Sequence, residues 1–467
     1  MATAPITTPS TATTAPTRSY AGPMVLMTTL FFLFGAVTNF NGVLMPYLKD
    51  VCQLSDFQSS LIPFAFFAAY FLMSLPAGWA LNRIGYQRGI VVGLLVMASG
   101  ALLFVPAAET RAFSLFLGGL SLLGAGITLL QVAANPYVSV LGPARQAASR
   151  ISIVGVANGL GGTLSPLVGG LLLFGSTELL KKQLAALPIS QRLAQEADLV
   201  RMPYVGLACF LTALALLFFV VRLPKLESIP VDEETDQADA ALLAGRHSAL
   251  DFRHLVLGVG AIFVYVGVEV GLGDFMIRYG QSQNIAQLSP FTQVLVQKLN
   301  AITDYGRFLI GQKPLPIDTA HGFTAAVGAV MAASYWFGLM VGRIVGIPLL
   351  RRYPDRPMLV GVCAMGAVLV TASIFTQGET ALWLIVLCGL CNSIMWPVIF
   401  PLAIKGLGPF TKQGSSYLIM AIVGGALLPL LMGWLATHGG GLRVAFVVPA
   451  LCYLYLLFYA LRGYRVR

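Results

Sequence analysis

Long apolar stretches alternate with short polar stretches along almost the whole chain. Most apolar stretches are about 20 residues or longer, the length that a helix needs to cross the apolar part of a bilayer. This pattern predicts twelve membrane-spanning helices and an all-α integral membrane protein. The predicted spans are 24–48, 57–81, 88–107, 113–141, 149–174, 203–223, 253–278, 321–350, 357–376, 380–404, 413–436 and 443–461.

Two polar stretches divide the chain into predicted units. Residues 1–20 are rich in Thr, Ala and Pro and are interpreted as a disordered cytoplasmic tail. Residues 224–252 are acidic and polar and are interpreted as a cytoplasmic linker. We therefore expect one six-helix bundle over 21–223 and a second over 253–467. Similar arginine-containing turns follow the second and eighth spans, at Gly78–Gly89 and Gly346–Pro357, which favours two related halves.

Composition and charge support the membrane interpretation. The chain is 57% hydrophobic and only 10% charged, with mean hydropathy +0.80, which is outside the range of soluble domains. The net charge is +10, but the basic residues cluster at alternate span ends, so a nucleic-acid partner is excluded. This positive-inside pattern predicts that both termini are cytoplasmic. The residues at that side are Arg83, Arg88, Arg145, Arg150, Arg351, Arg352, Arg356, Lys405, Lys412, Arg462, Arg465 and Arg467.

Several predicted spans carry amides and aromatic side chains, which are costly in lipid unless they find partners or line a wet cavity. Gln131 and Asn135 are one helical turn apart, and Pro136 follows as a predicted break in that helix. Amides beside aromatic rings suit a sugar, which needs hydrogen bonds and a stacking surface. The alternative for each amide is structural bonding between helices. The predicted substrate-binding residues are Asn39, Gln131, Asn135, Asn158, Tyr265, Asn392 and Trp396.

Glu269 is the main acidic residue in the middle of a predicted span, four residues after Tyr265. Burial among apolar residues disfavours a free carboxylate, so it must take up a proton, hold a cation or pair with a basic group. It is therefore a candidate coupling group for H⁺ or Na⁺. The alternative is a structural ion pair with a buried arginine such as Arg343.

Several motifs resemble one transporter family. The segments NGVLMPYLK, LLQVAANPYVSVLGP, YVGVEVGLG and CNSIMWPVIFPLAIKGLG are similar to the fucose–proton symporter family of the major facilitator superfamily, especially its glucose/galactose and N-acetylglucosamine branch. The resemblance implies two six-helix bundles, a central sugar site and alternating access in a bacterial inner membrane. It also implies that Asn82, Arg83 and Arg88 belong to a gating loop, with Asn82 where the superfamily usually has Asp.

Two departures from the fucose-type pattern leave the coupling open. The resemblance places acidic residues at the positions of Gly42 and Gln131, and this chain has neither. We expect a symporter that works through Glu269, and an uncoupled facilitator is the alternative. A sugar-sensing receptor on a transporter fold is a remote alternative, and no residue pattern favours an enzyme.

The remaining expectations concern partners. We expect a monomer in a lipid bilayer that binds a small-molecule sugar, with no cofactor other than a coupling cation and no metal site. The stretch FTQVLVQKLNAITDYGRFL in the loop 279–320 predicts a short helix over the outer mouth of the bundle.

Overall fold

The structure is a computed structural model, and its described residues form helices and no strands. It describes residues 20–54, 56–174, 188, 201–221, 223–224, 243, 245–283, 285–309, 317 and 322–466. Side chains are described for most of these, with 39–47 and 165–174 among the exceptions. Ten described stretches are long and apolar enough to cross a membrane, and one of them, Phe64–Thr110, covers the third predicted span and most of the second.

The first half of the chain follows the predicted spans closely. Its helices are α1 (Ala21–Val51), α2 (Asp56–Leu102), α3 (Phe104–Thr110), α4 (Phe113–Val140), α5 (Ala147–Phe174) and α6 (Arg201–Val220). Helix α2 packs on α4 and α6, and α1 packs on α5. A single helix, α2, contains the predicted second span and most of the third, which ends in α3.

The turn within α2 depends on Gly85, whose backbone is not helical (φ 79°, ψ 171°). A side chain disfavours this positive φ, so glycine allows the direction of the chain to change within one residue. Gln87, just after the turn, bonds the end of the sixth span. Its Nε2 donates to the carbonyls of Phe218 (2.8 Å) and Val221 (2.9 Å), and its Oε1 accepts from the amide of Leu223 (3.1 Å).

The second half begins with an ordered turn and then repeats the helical pattern. Ser248 and Asp251 form a capping box on the short 3₁₀ turn Ala249–Asp251, and the Ala249 amide donates to Gln413 Oε1 (3.0 Å). The helices that follow are α7 (Arg253–Ser282), α8 (Pro290–Leu309), α9 (Ala325–Arg352), α10 (Asp355–Phe375), α11 (Gly378–Asn392), α12 (Met395–Ile404), α13 (Thr411–Met420), α14 (Gly424–His438), α15 (Leu442–Ala445) and α16 (Val447–Phe458).

Three predicted spans of this half are interrupted. The tenth divides into α11 and α12 around Ser393 and Ile394, and the eleventh divides into α13 and α14 at the 3₁₀ turn Ala421–Val423. The last consists of α15, α16 and the π-helical turn Tyr459–Gly463. Such interruptions are tolerated at membrane depth where neighbouring helices cover the backbone.

The predicted helix in the loop 279–320 is confirmed as α8. Its start is fixed to α11, because Thr292 Oγ1 donates to Glu379 (2.5 Å) and accepts from Trp383 Nε1 (3.1 Å). The ring of Phe291 packs against that of Trp383, with centroids 5.3 Å apart. Whether α8 covers the outer mouth stays a prediction.

Near one end of the bundle, the two halves meet where α9 packs on α5 and where α13 packs on α2 and α4. We call this end the linker side, defined by Val220, Arg253 and Arg352. Among the described residues, three hydrogen bonds join the halves, and all lie between α5 and α9. Arg343 Nη1 donates to the Gly155 carbonyl (3.0 Å), Arg351 Nε to Ser149 Oγ (3.2 Å), and Ser149 Oγ to the Ile347 carbonyl (3.4 Å). The halves are therefore fastened on the linker side.

Candidate functional site in the helix bundle

The first polar group lies between α1, α2 and α4, and we call it the α4 cluster: Thr38, Tyr70, Gln131 and Asn135. Gln131 Nε2 contacts Tyr70 Oη at 3.0 Å, and the Tyr70 hydroxyl also bonds Thr38. Tyr70 is buried, whereas Gln131 is half-buried. The predicted amide at Gln131 is thus held by a tyrosine and keeps part of its surface accessible.

Asn135 is fully buried, so it does not reach an open surface in this conformation. Its Nδ2 donates to the Gln131 carbonyl at 3.0 Å, while its Oδ1 has no hydrogen-bond partner among the described residues. The predicted helix break at Pro136 is wrong, because α4 continues through it to Val140. Neighbouring helices enclose this turn, and such burial lets a membrane helix tolerate an internal proline.

Asn158 joins two helices of the first half. Its Nδ2 donates to the Phe31 carbonyl on α1 at 3.1 Å. Helix α1 comes so close to α5 here that a Cβ on Gly35 would overlap the Asn158 carbonyl. Asn158 therefore has a structural bond, and its half-buried side chain remains partly accessible. A sugar contact at Asn158 stays a prediction.

The second polar group surrounds α7, and we call it the α7 cluster: Tyr265, Glu269, Tyr335, Arg343, Asn392 and Tyr453. Glu269 Oε1 and Arg343 Nη2 are 3.8 Å apart, which is an ion pair but too long for a hydrogen bond. Both side chains are largely buried, with 15% of Glu269 and 11% of Arg343 exposed. The alternative interpretation of Glu269 as an ion-pair partner is thus realised in this conformation.

Arg343 also reaches both halves of the molecule. Besides the Gly155 carbonyl on α5, its Nε donates to the Ser393 carbonyl at 3.3 Å, at the break between α11 and α12. A guanidinium has five N–H donors in a rigid fork, so one side chain can serve several acceptors at once. The arginine therefore links the acidic group to the contact between the halves.

Asn392 lies inside a chain of hydrogen bonds rather than at an open surface. Its Nδ2 donates to Tyr335 Oη at 2.8 Å, and its Oδ1 accepts from Tyr453 Oη at 2.7 Å. Tyr335 Oη donates in turn to the backbone carbonyl of Glu269 at 2.9 Å. Asn392 is fully buried, so a direct contact with substrate would require a different conformation.

Aromatic rings lie beside the acidic group. The ring centroids of Tyr265 and Trp396 are 6.4 Å apart, and Trp396 stacks on Phe400 at 5.7 Å. Tyr265 is buried, and its hydroxyl lies next to Glu269 and Arg343. Trp396 is only half-buried, which leaves part of its ring free to contact a ligand.

The remaining predicted residues either lie apart from both clusters or have side chains that the structure does not describe. The side chain of Asn39 is not among the described residues. Asn82, Arg83 and Arg88 are exposed on the linker side, around the Gly85 turn, and Arg83 stacks over Trp79 at 3.9 Å. The predicted gating role is not tested by these contacts.

Sequence reasoning missed the tyrosines that organise both clusters. Tyr70, Tyr335 and Tyr453 lie in apolar spans where a tyrosine is unremarkable, and their partners are distant in sequence. The available signal was the buried amides themselves, because each requires a partner. Gln131 and Asn392 both find a tyrosine.

The fold and the two polar clusters define a membrane transporter: a helical bundle in two halves, with amide and acidic side chains at membrane depth. More specifically, the chain belongs to the Major Facilitator Superfamily, whose family model matches residues 26–312. The predicted twelve-helix fold and the assignment as a transporter rather than an enzyme are therefore confirmed.

Individual relatives cover nearly the full chain. A glucose/galactose transporter of Brucella abortus is 39% identical over 459 residues, covering 98% of each chain. An L-fucose-proton symporter of Escherichia coli is 31% identical, covering 95% of this chain and 93% of that protein. The crystal structure of the transporter FucP in the outward conformation has a TM-score of 0.75 at 30% identity, covering 96% of this chain and 99% of that one. The predicted resemblance is confirmed.

Proposed function

We propose that this protein is a secondary active transporter that imports a hexose of the glucose/galactose type by alternating access, coupled to H⁺ or Na⁺ through Glu269. The observation that carries the proposal is the α7 cluster, where a partly exposed carboxylate at membrane depth lies beside Arg343 and a tyrosine–tryptophan pair. The names of the relatives support a sugar as substrate.

A sugar would contact the accessible parts of the two clusters. Gln131 offers an amide that Tyr70 already orients, and the half-buried Trp396 offers a ring for the apolar face of a pyranose. Asn158, Tyr265 and Asn392 would complete or support the site after conformational change. N-acetylglucosamine and fucose are the next candidates.

Glu269 suits coupling because its ion pair with Arg343 includes no direct hydrogen bond. At 3.8 Å the carboxylate is attracted to Arg343 but makes no hydrogen bond with it, so a proton or Na⁺ can compete for the oxygens. Binding of either cation would weaken the hold of Glu269 on Arg343, which also bonds Gly155 across the halves. Cation binding would thereby change the position of Arg343 and its bond to Gly155 across the halves.

Uptake of radiolabelled glucose, galactose, mannose, fucose and N-acetylglucosamine into proteoliposomes tests the substrate class. We expect saturable uptake of at least one hexose, and no uptake of any of them would reject the sugar assignment. Gln131→Ala should raise the apparent Michaelis constant for the sugar. Asn158→Ala should raise the same constant. An unchanged constant in both variants would show that the sugar binds at other residues.

Coupling is tested by accumulation against a sugar gradient, with an imposed proton gradient, a sodium gradient or neither. Glu269→Gln should abolish accumulation but retain sugar counterflow, because exchange needs no net cation movement. Asp274→Asn is the matched control, since it neutralises an exposed acid on the same helix. Wild-type protein that never concentrates sugar under either gradient would reject the coupling.

An uncoupled sugar facilitator is the second candidate. It is favoured by the absence of carboxylates at Gly42 and Gln131 and by the Glu269–Arg343 ion pair, which gives Glu269 a structural role. In that case Glu269→Gln would lower stability, and neither gradient would drive accumulation. The proposed setting is a bacterial inner membrane with both termini in the cytoplasm.

A further inference from the structure

A cavity opens on the linker side, where the start of α7 meets the end of the last span. Its volume is about 480 Å³, within the usual range of small-molecule pockets. It is separate from both polar clusters and uses none of their residues. The lining residues are Arg253, Leu257, Phe458, Arg462, Gly463 and Arg465.

The cavity concentrates positive charge without a compensating acid. Arg253, Arg462 and Arg465 are half of its lining, and no carboxylate is among the lining residues. None of the three arginines forms an ion pair with the described acidic residues. Three guanidinium groups around one cavity create a strongly positive potential, which attracts an anion.

A fourth arginine lies next to the cavity. Arg356, at the start of α10, lies over the ring of Tyr464 at 5.1 Å, and its Nη2 donates to the Leu461 carbonyl at 3.5 Å. Arg356 thus adds positive charge next to the cavity and contacts the backbone of the last span one residue before Arg462.

The last span is not a regular α-helix where it lines the cavity. The last span ends in the π-helical turn Tyr459–Gly463, in which the Tyr464 amide donates to the Tyr459 carbonyl at 3.0 Å. On the facing helix, the Leu257 carbonyl accepts from Tyr455 Oη at 3.0 Å, which fixes α7 against α16. Single π-helical turns occur frequently at functional sites, and this one carries Arg462.

The surroundings of the cavity favour a lipid over a soluble anion. Phe458 lines the cavity and is 40% exposed, and Leu461 and Val256 nearby are 41% and 45% exposed. These apolar side chains lie within about one helical turn of the arginines, at the level where spans meet the membrane surface. A ligand that fits both features has an anionic phosphate and acyl chains.

We propose that this cavity binds the phosphate head group of an anionic phospholipid from the leaflet on the linker side. Arginine guanidinium groups bind phosphate oxygens through paired, charge-assisted hydrogen bonds. Basic pockets between membrane helices on the cytoplasmic side bind anionic head groups in this way. The acyl chains would lie along the exposed surface around Phe458 and Leu461. The lipid would bridge α7 and the last span, independently of the sugar.

Native mass spectrometry of the full-length protein in detergent tests this proposal with added phosphatidylglycerol or phosphatidylcholine. We expect the wild type to bind phosphatidylglycerol at least tenfold more tightly than phosphatidylcholine. Arg253→Gln/Arg462→Gln should lose about thirtyfold in affinity, since each basic side chain near an anionic lipid contributes about fivefold. Arg145→Gln/Arg352→Gln is the matched control, because it removes two exposed arginines elsewhere on the linker side.

Three outcomes would overturn the proposal. The first is equal binding of both lipids by the wild type. The second is an equal loss of affinity for phosphatidylglycerol in both double variants. The third is displacement of the lipid by inorganic phosphate at equimolar concentration. The last outcome would identify a site for a soluble anion. Arg465→Gln provides a second variant should the double variant fold poorly, and we expect it to lose about fivefold. Higher salt should weaken lipid retention by the wild type.

Discussion

Arg343 bonds across the contact between the halves, and Arg343→Gln tests whether this bond controls their relative position. The wild-type side chain donates to the Gly155 carbonyl across the interface at 3.0 Å and pairs with Glu269 within its own half. A shorter, neutral glutamine loses both. We expect the variant to favour the conformation in which the linker side is open.

The magnitude follows from the bond between the halves. A hydrogen bond that involves a charged group contributes about 1.5–3 kcal/mol, so its loss should change the ratio of the two conformations by about one to two orders of magnitude. The bonds of Ser149 with Arg351 and Ile347 remain and limit the shift. Glu269→Gln alone breaks the ion pair but leaves the Gly155 bond. Comparing Glu269→Gln with Glu269→Gln/Arg343→Gln therefore isolates the contribution of the arginine beyond the ion pair.

The assay is pulsed electron paramagnetic resonance, which measures the distance between spin labels at the ends of the halves opposite the linker side. Arg111 and Gln377 are exposed and lie in turns at those ends, one in each half. Cys52 and Cys209, the free cysteines that are not buried, would first be replaced. Opening of the linker side should close the opposite side and shorten the distance between the labels.

The control is Arg278→Gln, an exposed arginine on α7 outside the α5–α9 contact. It should leave the distance distribution unchanged. If Arg343→Gln and its parent give the same distribution, the Gly155 bond does not control the equilibrium and the reasoning is refuted.

Three further substitutions test the packing of the bundle. Gly35→Val should lower the melting temperature in detergent, because the valine side chain would overlap the Asn158 carbonyl and disrupt the contact between α1 and α5. Gly361→Val is the control and should preserve the melting temperature, because the space around Gly361 is open. Equal melting temperatures for the two variants would contradict the close approach of α1 and α5. Asn392→Ala should lower stability by about 1–3 kcal/mol, since it leaves the buried Tyr453 hydroxyl unpaired, and adding Tyr453→Phe should restore most of the loss; additive losses in denaturant unfolding would argue against the hydrogen-bond chain. Arg150→Gln should lower the melting temperature, because its guanidinium donates to the carbonyls of Val138, Ser139 and Pro143 at 3.0, 2.5 and 2.8 Å; an unchanged value would show that these bonds contribute little.

The number and order of the spans could be predicted because bilayer thickness sets the length of an apolar run. The predicted tenth span, 380–404, is nevertheless two helices around Ser393 and Ile394. The local signal for this break is Pro397, which has no N–H to donate to the Ser393 carbonyl four residues earlier; Arg343 Nε donates to that carbonyl instead. Conversely, Pro136 is a local breaking signal that the surrounding helices override.

The site was predictable only to the level of its polar residues. Buried amides and Glu269 are visible in the sequence because polar groups are costly in lipid. Their partners are set by the fold: Tyr70 is 61 residues from Gln131, and Arg343 is 188 residues from Gly155. Spacing along one helix cannot reveal a partner on another helix, so the tyrosines and the second contact of Arg343 required the structure.

The connection between the halves is held at both ends. Leu223 is fixed to the first half by Gln87, and Ala249 is fixed to the second half by Gln413. Residues 224–248 between them could span about 85 Å if fully extended, compared with a bilayer core of about 30 Å. A connection with this reach does not dictate the angle between the bundles, so their relative position depends on the facing helices. It follows that the two bundles, expressed as separate polypeptides, should still assemble into a working transporter.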